Sequence, residues 1–260
     1  MKNKLQGKVA VITGASKGIG LAIAKYFHKN GIIVYDISRT AIPQAEVKEC
    51  FACDVNDSAK IEEILNKIYT QEKHIDIFVN NAGFGIAGTV EEAKRDSIYS
   101  LVETNLSAVI TLSGMAIMYL KASGGGNIIN ISSVGAVIPL PIQAVYSATK
   151  AGVEIFSKAL ANEVKNYNIK VTTILPGDTK TSFTSSRIIE NEKGSEVVAK
   201  TIKKVEKDEQ TGKSPDSVGK IAVKILKRKN PPLKKTVGFF YKCVVFLPRI
   251  LPTKLVNYIV

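Results

Sequence analysis

Short apolar runs recur along this chain at spacings too long for hairpins, and that rhythm limits its fold more than any other feature. Val9 to Ile12, Ile32 to Ile37, Ile75 to Val79, Ile128 to Ile131 and Val171 to Leu175 each read as a buried strand. The longer segments between them read as helices, most clearly Ile19 to Asn30, Ala59 to Gln71, Arg95 to Ala122 and Gln143 to Tyr167. Strands alternating with helices predict a parallel sheet covered on both faces. Phe51 to Cys53 and Thr236 to Gly238 fit two more short strands, for about seven in all. With 260 residues, 45% of them hydrophobic, and no repeat or low-complexity linker, the chain is expected to form one α/β domain.

Other classes recede on composition. The first apolar strand starts by Val9, which leaves no room for a signal peptide, and no uninterrupted apolar run nears the ~20 residues of a membrane span. A cytoplasmic protein is expected. Three cysteines make no disulfide framework, and Cys50 with Cys53 lacks a second ligand pair for zinc, so no metal site is expected. His28 and His74 stand alone and read as structural. The net charge of +13 is concentrated: from Lys193 to Val260 there are 16 Lys and Arg against 5 Asp and Glu. That asymmetry ties the basicity to one C-terminal face and suggests an anionic surface or ligand. No nucleic-acid recognition motif accompanies it.

The run Thr13-Gly14-Ala15-Ser16-Lys17-Gly18-Ile19-Gly20 lies between the first strand and the first helix. Glycines there permit a tight turn and let backbone approach a pyrophosphate resting on free N–H groups at the positive end of the helix. The second strand closes on Ser38-Arg39, where a ribose would be read. Arg39 with Lys17 offers two cations for a 2′-phosphate, so NADP(H) is preferred. Asp36 keeps NAD(H) open: if the strand ends sooner, it becomes the acid that binds an unphosphorylated ribose. Asp54, with Val55 beside it, follows the third strand and could accept from an adenine amino group or serve as a turn carboxylate. Asn80-Asn81-Ala82-Gly83 follows the fourth, with residues small enough to pass beneath a cofactor; the same residues are ordinary turn chemistry.

Tyr146 and Lys150 sit four apart in Tyr146-Ser147-Ala148-Thr149-Lys150, neighbours on one helical face. A fixed positive charge beside a phenol favours the phenolate, which predicts a pKa ~1 to 3 units below the ordinary value of about 10. Such a tyrosine could exchange a proton with a substrate at cellular pH, although the pair taken alone fits better a stray Tyr and Lys on an exposed helix.

Together these motifs resemble the short-chain dehydrogenase/reductase family over about Lys8 to Phe183: the glycines Gly14, Gly18 and Gly20, Asp54, Asn80 to Gly83, Asn105, Ser132-Ser133, Tyr146 to Lys150, and Pro176-Gly177. The resemblance implies a single-domain, Rossmann-like, doubly wound sheet and an NADP(H)-dependent oxidoreductase acting on a carbonyl or secondary alcohol. The family serine lies thirteen residues before the tyrosine, which selects Ser133 to hydrogen-bond the substrate oxygen. Tyr146 would be the general acid or base, Lys150 would lower its pKa and hold the nicotinamide ribose, and Asn105 would hold a water of the proton relay. Pro176, Gly177 and Thr179 would line the nicotinamide, with Thr181 near the carboxamide and pyrophosphate; Thr179 replaces the aliphatic residue usual there. A homodimer or homotetramer and a small-molecule substrate are further implications. A non-catalytic NADP-binding sensor or partner-binding module is the alternative, and a complete proton relay argues against it.

Residues 1–230 are expected to form the catalytic domain, with a mobile substrate lid at about 181–215. Residues 231–260 depart from the common family ending. Pro231-Pro232, Lys234-Lys235, Phe239-Phe240-Tyr241, Cys243 to Leu247, Pro248 and Pro252 break this extension into short apolar stretches. It resembles the longer ends of members that act on lipophilic alcohols and ketones. Interleaved with Lys242, Arg249 and Lys254, these stretches could lie on an anionic membrane as a peripheral contact. Otherwise they fold over the substrate cleft or pack onto the core.

Overall fold

The computed structural model describes residues 3–190, 194–252 and 254–256. Seven parallel strands form its sheet in the order β3-β2-β1-β4-β6-β7-β9. They are β1 (Val9–Thr13), β2 (Ile33–Ser38), β3 (Glu49–Ala52), β4 (Ile77–Asn80), β6 (Gly126–Ile131), β7 (Ile169–Leu175) and β9 (Lys234–Thr236). Both faces are covered, and β1 shows why its run has no polar gap. Val9 and Val11 join one core with Ile61, Leu65, Leu112 and Leu160, while Ala10 and Ile12 join the other with Ile23, Phe27, Val218 and Ala222. The first core lies under α2 (Ser58–Glu72), α4 (Ala108–Ala122) and α5 (Ala144–Val164); the second lies under α1 (Gly18–His28) and α7 (Asp216–Leu226).

Strand order reverses between β1 and β4. Connections leave the two strands in opposite directions, which opens a crevice beyond Thr13 and Asn80, where sheets of this kind bind ligands.

Several elements differ from expectation. The helix expected over Arg95 to Ala122 is α3 (Arg95–Val102), a π-helical turn at Glu103–Ser107, then α4. Asn105 sits in that turn with its side chain bonded to the backbone of Phe84, so the register slips by one residue to reach it. By length and composition this continuous run is apolar enough to cross a membrane. Leu112, Ala116 and Leu120 on its inner face nonetheless pack into the first core. A second, two-stranded sheet pairs β5 (Ile86–Gly88) with β8 (Ile188–Glu190), tying the segment after β7 to the loop after β4. The polar stretch beyond it forms α6 (Glu196–Gln210).

The last strand lies two residues before the expected Thr236 to Gly238, since Gly238, at φ +91, already turns the chain into α8 (Phe239–Phe246). The extension is thus part of the main sheet. Glu154 on α5 fastens it there, pairing with Lys158 at 2.6 Å and with Lys234 of β9 at 2.9 Å. Burial raises the Glu154 pKa, but the two ammonium groups outweigh that and hold it below the ordinary glutamate value. A lowered folded pKa contributes stability that is present above the unfolded value and lost as pH falls through the folded one. Glu154→Gln is expected to cost about 1–3 kcal/mol at neutral pH, read as a lower denaturation midpoint that converges on wild type in acid.

Candidate active site

Two loops build the crevice beyond β1 and β4, and a single threonine joins them. Thr13 Oγ1 accepts from the N–H of Asn81 at 3.0 Å and of Ala82 at 3.1 Å. Asn81 Nδ2 donates in return to the carbonyls of Thr13 at 2.9 Å and Gly14 at 3.0 Å. Gly14 and Gly18 take φ of +74 and +59, conformations that a side chain would strain. No side chain caps the start of α1, so its first-turn N–H groups remain open toward the crevice. An uncapped helix start behind a tight glycine turn fits a pyrophosphate. Ser16 is partly buried in this turn, and Ile19 packs into the second core.

Asp36 is fully buried. Its carboxylate accepts from Ala15 N–H at 2.7 Å and from Ser38 Oγ at 2.7 Å. Burial raises its pKa, and those two donors partly offset the rise. It therefore braces the glycine turn from inside, while β2 runs on to Ser38 and delivers Arg39 exposed at the crevice rim. Lys17 is also exposed, with Nζ 3.2 Å from Ser186 Oγ. Asp54 is exposed and accepts from Asn56 N–H at 3.0 Å as a turn carboxylate, and Val55 is buried.

The other end of the crevice gathers residues from four elements. Ser133 ends the loop after β6 in extended conformation, its Oγ accepting from Gly135 N–H at 3.1 Å and facing the Tyr146 phenol. Ser132 donates instead to the Lys150 carbonyl at 2.9 Å, a structural bond. Lys150 Nζ donates to the Ile131 carbonyl at 3.1 Å and lies 5.8 Å from the centre of the Tyr146 ring. Asn105 holds Phe84 with Oδ1 3.1 Å from its N–H and Nδ2 2.8 Å from its carbonyl. Gly83 fills the gap: a Cβ there would stand 2.8 Å from Asn105 Oδ1 and 3.6 Å from Lys150 Nζ.

The expected lowering of the Tyr146 pKa is not what the fold produces. Burial pushes the phenol up to about 12, against the Ser133 hydrogen bond and the charge of Arg187 that lower it; Glu209 adds to the rise. Lys150 is pushed down to about 8 by desolvation alone. Helical spacing brings the two side chains together, but both are withdrawn from water, and withdrawal disfavours each charged form.

Beyond β7, Pro176 accepts from Val134 N–H at 3.0 Å, binding the loop after β7 to the serine loop. Thr179 is buried, with Oγ1 2.8 Å from the Gly177 carbonyl. Thr181 lies against Gly18, where a Cβ would stand 3.4 Å from its own Cβ. Sequence reasoning missed the residues that cover this centre. The Phe183 ring lies 5.7 Å from the Tyr146 ring, and Arg187, its side chain fully buried, stacks 5.7 Å from Phe183 and pairs with Glu209 of α6. Tyr241 of α8 packs so closely on Gly177 that a Cβ there would fall 2.3 Å from its ring, and its hydroxyl donates to Asp178. Nothing in the local pattern links Tyr241 to Gly177; the contact exists because β9 returns the chain beside β7.

A doubly wound sheet with a braced glycine turn at its reversal point and a Ser, Tyr, Lys and Asn cluster beside it defines an oxidoreductase of the Rossmann type. Residues 8–192 match the family model described as short chain dehydrogenase, and the chain belongs to that family. A 3-ketodihydrosphingosine reductase of Bacteroides thetaiotaomicron is 36% identical, over 90% of this chain and 89% of its own. Among solved structures, a short-chain dehydrogenase from Streptomyces avermitilis superposes with a TM-score of 0.83 at 25% identity, covering 94% of this chain and 92% of its own. A 3-ketoacyl-(acyl-carrier-protein) reductase from Brucella melitensis complexed with NADH gives 0.77 at 26%, covering 90% and 98%. The fold of this family binds nicotinamide cofactors.

Proposed function

We propose that this protein uses NADPH to reduce a ketone on a lipophilic substrate, with Tyr146 as general acid. The observation that carries the reading is the buried Tyr146 phenol, held protonated near 12 beside Ser133. A bound nicotinamide supplies the hydride. Ser133 Oγ and the Tyr146 hydroxyl hold the carbonyl oxygen between them. As negative charge grows on that oxygen it becomes a far stronger base than the phenolate, so the Tyr146 proton passes to it downhill. The Lys150 ammonium then stabilises the phenolate left behind, and Asn105 keeps Gly83 and Phe84 in place around Lys150. Oxidation would start from the phenolate, which burial disfavours, so reduction is the proposed direction. The similarity to a 3-ketodihydrosphingosine reductase supports that ketone, or one like it, as substrate. Following NADPH absorbance against a panel of aliphatic, steroidal and acyl ketones tests the proposal; no turnover with either nicotinamide would sink it.

The preference for NADPH rests on Asp36 being occupied by Ala15 and Ser38, and on Lys17 and Arg39 standing exposed at the rim. Arg39→Ala is expected to raise KM for NADPH by about 10- to 100-fold, the worth of one charge-assisted hydrogen bond, and to leave KM for NADH within about 2-fold. Equal loss for both cofactors would count against it.

The protein is further proposed to work in the cytoplasm as a homodimer that touches membranes peripherally. Ile110 and Met118 on α4 and Ile155 on α5 are exposed, and Gly114 between the first two leaves open space, a surface suited to a second copy. Sedimentation of Ile155→Glu as a monomer, against a wild-type dimer, is the expected result. Membrane contact is supported by Phe239, Phe246 and Ile250, each more than half exposed. Beside them Lys235 is lowered in pKa by desolvation and by the nearby Lys242, Arg228 and Lys224. The side chain of Arg249 and residues 257–260 lie outside the described residues. Phe239→Ser with Phe246→Ser should abolish co-sedimentation with phosphatidylserine vesicles; failure of the wild type to bind them would end the membrane reading.

A further inference from the structure

We propose that a cavity between the serine loop and the C-terminal extension holds the hydrocarbon tail of the substrate, which makes the substrate class an aliphatic ketone with a long, unsubstituted chain. The inference rests on the reductase reading above and names the substrate of that same site. The cavity has a volume of about 240 Å³. Val134, Ile138 and Leu140 form one wall, and Tyr241, Val244 and Leu247 form the other. Its near end adjoins the reacting centre. Val134 directly follows Ser133, and Leu140 meets Gly135, where a Cβ would stand 2.8 Å from Leu140 Cδ1 and 3.4 Å from Ser133 Oγ. Tyr241 closes the other side against Gly177.

The lining decides what can enter. The side chains are hydrocarbon except for Tyr241, whose hydroxyl proton is already given to Asp178, so a carbonyl oxygen on the tail would be buried without a donor. Steroids with a distal ketone are disfavoured on that ground, and an alkyl tail loses nothing. An apolar cavity of ~150 Å³ takes the six carbons of benzene, so this one has room for about ten. The far end passes Phe240, which is 69% exposed, giving a longer tail a way out beside the aromatic and basic surface. The extension that departs from the common family ending thus has a use: it supplies one wall of the tail site.

Methyl ketones from butan-2-one to dodecan-2-one test this on the full chain. In the wild type kcat/KM is expected to rise about 3-fold per added methylene, close to the free energy of burying one, and to flatten near ten carbons. Val244→Phe, which places a ring in the cavity, should erase most of that slope. A binding measurement stands apart from turnover. The chain has no tryptophan, so Phe240→Trp places a single emitter at the cavity mouth. Its emission should shift to the blue with decan-2-one and stay put with butan-2-one, whether or not Val244→Phe folds. Turnover with no chain-length slope and no shift would overturn the tail site and leave the reductase reading standing. A shift specific to the longer ketone without turnover of any ketone would uphold the tail site and overturn the reductase reading.

Discussion

Replacing Tyr146 by phenylalanine is expected to cut kcat for ketone reduction by a factor of about 100 to 10,000, the usual worth of a general acid, with NADPH affinity unchanged. The substitution removes one hydroxyl from a buried ring that also packs against Phe183, so the ring contacts survive and the proton does not. Titration sharpens the expectation. Because burial holds the phenol near 12, ionisation takes no reductive rate away in the neutral range, while the oxidative direction, which needs the phenolate, should quicken as pH rises toward that value. A Tyr146→Phe enzyme that turns over at the wild-type rate would exclude the phenol as the acid.

Gly20→Ala is expected to cost about 1–3 kcal/mol of stability and to weaken NADPH binding about 100-fold. A Cβ on Gly20 would stand 2.2 Å from the Gly14 carbonyl oxygen and 2.6 Å from Asn81 Nδ2. The first is backbone and cannot swing aside. The glycine turn must therefore open, breaking the Asn81 bond to Gly14 and moving the N–H groups a phosphate would use. Thermal unfolding and equilibrium titration with NADPH check the two parts, and wild-type affinity would show that the turn takes no part in holding the cofactor.

The main sheet was legible because parallel strands buried on both faces leave long apolar runs, and five of the seven stand out on that ground alone. β3 and β9 are only four and three residues long, so their ends were placed less well. β5 and β8 gave no signal, since three residues cannot show a period and their pairing joins segments about a hundred positions apart. In the site, spacing paired Tyr146 with Lys150, the family resemblance added Ser133 and Asn105, and the fold brings all four together. Asp36 was read as a rival to Arg39 for the ribose because sequence does not reveal which carboxylate has its lone pairs taken. Only the path of Ala15 across the end of β2 does that.

What the amino-acid sequence determined by itself is whatever local chemistry repeats or punctuates: the order of strands and helices, the glycine turn, the tyrosine and lysine on one helical face, and a basic, apolar end. Tertiary structure decided how those groups behave. It raised the Tyr146 pKa where a lysine four residues away implied a fall, because desolvation depends on what the rest of the chain places around a side chain. It also packed Tyr241 of the C-terminal end on Gly177, because β9 pairs with β7 across more than fifty intervening residues and carries α8 with it. Burial and long-range pairing are properties of the whole fold, and no window of sequence contains them.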